Sequence, residues 1–281
     1  MNTNTLRRIA INAGGGDAPG LNAVIHAAVH AAHNHGWEIH GIRDGFDGLL
    51  HPENYPDGGV VKLTRHSVRN IEHLGGTILG TSNRGSPFKV RVPQPDGSCV
   101  ETDRTDDAVR RFRERRLDAL ISVGGDGTLS IARDLHKNGL RVIGVPKTID
   151  NDLEATMTTF GFDSAVSFAT ECIDRLHCTA ESHRRIMVVE VMGRYAGWLA
   201  LHAGISGRAD AILIPEVPYD IAKVAAHIKS KTAGRDQHYA IVVVAEGAKP
   251  INGGVTLKEA SGPGQVERLG GVGEIVAGQL R

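Results

Sequence analysis

The segment Pro146-Lys147-Thr148-Ile149-Asp150-Asn151-Asp152 carries the densest chemistry in this chain of 281 residues. Asp150 and Asp152 offer a base and a second negative charge for metal-bound water, and Lys147 and Thr148 just before them offer donors to phosphate. Taking a proton from a hydroxyl acceptor while stabilising charge on a transferred phosphoryl group needs those residue types. The bland reading is a solvated acidic loop after a strand. A second group is Gly124-Gly125-Asp126-Gly127-Thr128, in which the carboxylate of Asp126 stands beside glycines that let backbone N–H groups approach phosphate. Mg2+ prefers one or two carboxylates together with phosphate oxygens and water, so Asp126 suits a nucleotide-bound metal. The run Gly14-Gly15-Gly16-Asp17-Ala18-Pro19-Gly20 is a third candidate for phosphate, at a strand-to-helix junction. It fits neither the dinucleotide fingerprint nor the lysine-bearing phosphate loop, and read alone it is equally a tight turn.

Positioning these groups calls for strands that end where the motifs begin. Apolar runs at 9–13, 37–42, 117–123 and 141–145 read as buried strands, with helices at about 19–34 and up to about 136. Pro19 is expected in the first turn of its helix, and 146–152 is expected as a loop. A second series follows: a helix over 163–180, strands at 185–191, 210–214 and 239–244, and helices from Trp198, over 221–231 and over 273–280. Strands alternating with helices predict an α/β fold of two Rossmann-like lobes with mostly parallel sheets, residues 1–160 and 161–281. Residues 88–100 alternate in period two around Pro95-Asp96-Gly97, a β-hairpin excursion. Ligands of such folds bind at the carboxyl ends of strands, and every motif named above falls there, as do 192–194 and Glu246-Gly247.

Lysine plus arginine and aspartate plus glutamate both number 32, so no net charge draws the chain to nucleic acid or membrane. The basic stretch 110–116 is interleaved with Phe112 and Glu114 and reads as a solvated helix face rather than a nucleic-acid patch. Cys99, Cys172 and Cys178 have no metal-site spacing. Reduced thiols are expected, the latter two in the core, in a cytoplasmic protein without membrane spans. His26 and His30 are spaced for zinc on one helix, but with no acidic third ligand nearby they read as an ordinary helix face.

The strings GGGDAPGLNAVI, GGDGT, PKTIDND, FGFDSAV and EVMGRYAGW stand in the order and spacing of phosphofructokinases, and the resemblance runs from about Arg8 to the end of the chain. GGDGT also marks NAD kinases and lipid kinases, but those families do not combine it with GGGDAPG, PKTIDND and MGR. The resemblance implies transfer of a phosphoryl group from ATP to the 1-hydroxyl of fructose 6-phosphate, in a homo-oligomer, a homotetramer in the family. It makes Asp150 the general base, places Asp126 at Mg2+ and adds Lys147, Thr148 and Arg194 to the catalytic set. Gly15, Gly125, Gly127 and Thr128 would line the nucleotide site, with Arg84 as a further contact. Thr148, Ile149, Asp150, Met192, Gly193, Arg194 and Glu246 would meet the sugar phosphate, and Arg185 would reach the 6-phosphate in a neighbouring subunit.

Donor choice rests on Gly127 and Lys147. Pyrophosphate-dependent relatives carry an aspartate at the first position and a lysine at the second; this chain combines the ATP-type glycine with the pyrophosphate-type lysine, and ATP is expected. His26 and His30 align with two arginines that bind an allosteric nucleotide in regulated bacterial enzymes, which implies weak regulation at that place. Family members also continue past the position of Arg281 into a histidine-bearing loop for the 6-phosphate. The expectation is either a fragment of a longer protein or a truncated relative without those carboxyl-terminal elements, and the rival from a different class is a non-catalytic relative that binds nucleotide or assembles with full-length partners.

Overall fold

A computed structural model describes residues 7–83, 86–93, 99–233, 238–259 and 268–281. The chain divides into two compact units, Met1–Thr148 with Leu153–Gly161, and Ile149–Asp152 with Phe162–Arg281.

The first unit is laid down as β1 (Arg8–Ala13), α1 (Leu21–Asn34), β2 (Glu38–Ile42), α2 (Asp47–Leu50), β3 (Val60–Leu63), β4 (Val90–Pro93), β5 (Cys99–Thr102), α3 (Thr105–Glu114), β6 (Ala119–Gly124), α4 (Asp126–Lys137), β7 (Val142–Thr148) and β8 (Phe160–Gly161). Six strands form one sheet in the order β3-β2-β1-β6-β7-β8, parallel except for β3. Strand β1 shows why both faces are covered. Ile9, Ile11 and Ala13 pack with Leu21, Ile25 and Val29 of α1, while Ala10 packs with Leu120, Phe112 and Leu135 on the other side. A period of two along the strand meets the four-residue spacing of a helix on one face and further helices on the other.

That arrangement fixes where a ligand can sit. From β1 the chain crosses through α1 to β2 on one side, and from β6 it crosses through α4 to β7 on the other. Adjacent strands whose connections diverge leave a crevice outside their carboxyl ends. The loops in that crevice are 14–20 and Gly125.

The second unit contains α5 (Phe162–His183), β9 (Ile186–Val191), α6 (Trp198–Ser206), β10 (Ala211–Leu213), α7 (Ile221–Thr232), β11 (Ala240–Ala245), the short antiparallel pair β12 (Leu257–Glu259) and β13 (Arg268–Leu269), and α8 (Val272–Gln279). Its three-stranded parallel sheet runs β10-β11-β9. Every residue of β11 is buried: Ala240, Val242 and Val244 face Ile228, Val272 and Val276, whereas Ile241, Val243 and Ala245 face Ile173, Ala200 and Ala203.

Some sequence expectations need correction. Pro19 precedes its helix, which starts at Leu21 after Gly20 in the left-handed conformation at φ 100°. A Cβ on Gly20 would lie 3.0 Å from the Phe160 ring, so glycine rather than proline sets the entry into α1. Strand β7 continues through Pro146 and Lys147 to Thr148 instead of yielding to a loop. Pro146 is in register with Gly124 of β6, and β8 joins the other side only from Lys147, so the missing N–H falls where that side has no strand partner. Cys178 is exposed and Cys172 half-buried, because α5 fully buries only Phe162, Ile173 and Ala180. The strands of the expected hairpin, β4 and β5, pair antiparallel; its turn at Pro95-Asp96-Gly97 lies outside the described residues. The basic face of α3 is neutralised locally, with Arg110 bonded to Asp107 and Glu114.

Candidate functional site

In the first unit, three segments pin one another. Gly14 donates its N–H to the Val123 carbonyl at 2.9 Å. Gly15, at φ 80°, donates to the Ser82 carbonyl at 3.1 Å and accepts the Thr81 hydroxyl at 2.5 Å. A Cβ added to Gly14 would fall 2.6 Å from Thr128 Oγ1, and one on Gly124 would fall 2.3 Å from Thr128 Cβ. Thr128, buried in the first turn of α4, therefore occupies space that two glycines vacate, and the loops after β1 and β6 interlock through it.

Lys147 completes this half. Its side chain is 4% exposed, and its ammonium donates to the Gly16 carbonyl. A Cβ on Gly15 would come within 3.5 Å of that nitrogen. A buried cation beside two exposed amide-bearing loops raises the local positive potential where a phosphate would lie. Helices α1 and α4 both start at glycine caps, which carry no side chain to accept from their first turns. Asp126 opens α4 in an exposed position, and at Gly127 an added Cβ would meet nothing within 4 Å among the described residues. Thr148 ends β7, its carbonyl accepting the Thr159 hydroxyl at 2.8 Å. Arg84 lies outside the described residues.

In the second unit, the segment 149–152 brings Ile149 and Asp150, both half-buried, with Asn151 at φ 53°. After β9 comes the turn that carries Met192, Gly193 and Arg194. Gly193 sits at φ 138° and Arg194 at φ 49°, a left-handed conformation that costs a non-glycine residue about 1 kcal/mol. Glu246, immediately after β11, stabilises it: one carboxylate oxygen accepts the N–H groups of Gly193 at 3.3 Å and Arg194 at 2.9 Å. The arginine side chain is exposed, 6.0 Å from the Tyr195 ring centre. Arg185 lies elsewhere. It precedes β9, and its carbonyl accepts from Ala240 at the start of β11, so roughly 20 Å of strand separates it from Arg194.

Two groups of residues were not singled out by sequence. Thr81 and Ser82 brace Gly15 through a main-chain carbonyl and a hydroxyl, contacts that no motif announces. Glu216, after β10, accepts the N–H of Gly197 at 2.8 Å. The pair His26 and His30 has ring centres 4.4 Å apart. Burial first, then the neighbouring His26, lowers the pKa of His30. Among the described residues, no three His, Cys, Asp or Glu side chains form a group that could hold a metal. Among the same residues, no helix is long and apolar enough to cross a membrane.

Known proteins resemble this chain over nearly its whole length. Residues 8–278 match the Phosphofructokinase family. An ATP-dependent 6-phosphofructokinase of Chloroflexus aurantiacus is 50% identical over 98% of this chain and 72% of its own length. A pyrophosphate--fructose 6-phosphate 1-phosphotransferase of Amycolatopsis methanolica is 48% identical over 97% of this chain and 75% of its own. Among solved structures, Pichia pastoris phosphofructokinase in the T-state superposes with a TM-score of 0.74 at 32% identity, over 89% of this chain and 28% of that one.

Proposed function

The chain belongs to the phosphofructokinase family, and from that premise we propose that it transfers the γ-phosphoryl group of ATP to the 1-hydroxyl of fructose 6-phosphate. The observation that carries this reading is the interlocked pair of loops in the first unit, in which Thr128 fills the space left by Gly14 and Gly124 and Gly15 lies beside the buried ammonium of Lys147. Amides at the start of α4 and the ammonium bind and orient the triphosphate, and the open space at Gly127 admits it.

Asp126 would hold Mg2+. A single exposed carboxylate is a hard oxygen donor that suits an ion completed by phosphate oxygens and water, rather than an all-protein cage. When bound, the ion offsets negative charge on the phosphates. Asp150 takes the proton from the sugar hydroxyl, the Arg194 guanidinium offsets charge on the group in transit, and the Thr148 hydroxyl donates a hydrogen bond to it. Met192, Gly193 and Ile149 line the sugar, and Glu246 acts chiefly on the backbone that carries Arg194. Arg185, far from Arg194 along its own strand, serves the 6-phosphate of a neighbouring copy in a homo-oligomer, a homotetramer in this reading. The setting is the cytoplasm.

A pyrophosphate donor is the second reading, favoured by Lys147 and by the name of the Amycolatopsis relative. The test is formation of fructose 1,6-bisphosphate by the full chain with Mg2+ and either donor. We expect kcat/KM for ATP to exceed that for pyrophosphate. The reverse order selects the second reading, and no product with either donor overturns both.

A further inference from the structure

We propose that Glu216 is a positioning residue: its carboxylate holds the far end of the loop 192–197 and so fixes where Arg194 presents its guanidinium. The inference deepens the reading above, since it takes Arg194 as a sugar-phosphate contact.

The loops after β9, β11 and β10 lie side by side because the sheet orders those strands β10-β11-β9. The loop after β9 carries Arg194, and its neighbours grip it at three points. Glu246, after β11, receives the amides of Gly193 and Arg194 at its near end. In the middle, a Cβ on Gly247 would lie 2.0 Å from the Arg194 carbonyl oxygen and 3.2 Å from Pro215, so backbone rests directly on backbone. At the far end, Glu216 receives the Gly197 amide at 2.8 Å. A Cβ on Gly197 would fall 2.5 Å from Ile214 and 2.6 Å from Glu216 Oε2, so the segment after β10 is seated there without a gap.

Within the loop, Ala196 donates to the Gly193 carbonyl at 2.9 Å and closes a turn that contains a left-handed arginine. A turn of that kind reopens unless its surroundings hold it. Glu246 alone would let the loop pivot about its near end. With Glu216 holding the N–H of Gly197, the cap just before α6, both ends are fixed and the direction of Arg194 is set. Glu216 is itself exposed, and α7 has its own cap, in which Asp220 accepts the Ala222 amide. Removing the carboxylate therefore opens no cavity and uncaps no other helix.

The test combines amide hydrogen exchange across 192–197 with steady-state kinetics, on wild type, Glu216→Ala and Glu216→Gln. Glutamine keeps a carbonyl that can accept the same N–H. We expect exchange at Gly197 to accelerate in Glu216→Ala, fructose 6-phosphate KM to rise about tenfold with ATP KM within about twofold, and Glu216→Gln to behave as wild type in both. Unchanged exchange in Glu216→Ala, or a Glu216→Gln variant that behaves like it, overturns the proposal. Should Glu216→Ala fail to fold, Glu216→Asp, whose shorter arm falls short of the amide, carries the same expectation. The exchange measurement needs no turnover, so wild type that fails to phosphorylate fructose 6-phosphate refutes the functional reading and leaves this test standing.

Discussion

The candidate residues of the first unit and those of the second are held on opposite principles. In the first unit the loops after β1 and β6 are locked by shape, with Thr128 filling the space left by Gly14 and Gly124, and by a buried cation on a carbonyl. Their helix-start amides carry no side-chain caps. In the second unit carboxylates take up the amides: Glu246 those of Gly193 and Arg194, Glu216 that of Gly197, and Glu190 those of Gly271 and Gly273 at the start of α8. The motif loops of the first unit thus expose main chain, and the turn of the second exposes the Arg194 side chain. Main-chain donors suit the repeating oxygens of a polyphosphate, whatever group is attached to it; oriented side chains suit an acceptor that must be told apart from other sugars.

The contrast can be broken by substitution, and the largest effect is expected where a side chain does chemistry. Asp150→Ala should lower kcat by about 10²–10⁴-fold, with both KM values near those of wild type. Full activity in that variant would remove the base from the second unit. Next, Gly127→Asp adds a carboxylate at a position where, among the described residues, an added Cβ meets nothing within 4 Å. Its melting temperature should therefore hold, while kcat/KM for ATP falls about a hundredfold through repulsion of the phosphates. A variant that still uses ATP normally would show that the donor lies elsewhere.

A matched pair sharpens the comparison further. Gly124→Ala drives a methyl into Thr128, and Gly247→Ala drives one into the Arg194 carbonyl. The first should raise the KM for ATP about tenfold and the second the KM for fructose 6-phosphate by a similar factor, each with little change in the other substrate. Crossed effects in steady-state kinetics would mean that the halves do not act separately.

The smallest effect concerns stability. Glu38 accepts from Lys62 at 2.7 Å and Arg8 at 2.9 Å, and the Lys62 hydrogen bond is the main cause that holds its pKa down at about 2. A depressed folded-state value stabilises above the ordinary carboxylate range, and the gain is lost as pH falls from about 4.5 toward 2. The difference in melting temperature between wild type and Glu38→Gln should be widest near neutral pH and narrow over that interval. A constant gap from pH 7 to pH 3 would show that the pair contributes nothing.

Much of this architecture is written in local patterns. Strands β1, β2, β6, β7, β9, β10 and β11 announce themselves as apolar runs, whereas β3 and the two-residue β8 were not expected, and the loops of the first unit are legible as glycine strings. What escaped the sequence is tertiary. Proline at 146 signals a break, yet it is accommodated because its partner strands are offset by one residue. Thr81 and Ser82 act through generic hydroxyl and carbonyl groups, and Glu216 acts on an amide 19 positions away in sequence. None of these has a composition or spacing that marks it. Only the neighbouring order of β10, β11 and β9 brings the last contact about.

Strand β11 has a consequence for anyone who would re-engineer the second half. Its six residues are enclosed on both faces, with small and branched side chains assigned alternately to two different interiors. A slip of one residue would exchange those interiors and reverse the side to which Glu246 points. The strand works as a ruler whose zero mark is the carboxylate. A transplant of the arginine-bearing turn into a foreign sheet would have to carry β11 with it, uninterrupted through Gly247.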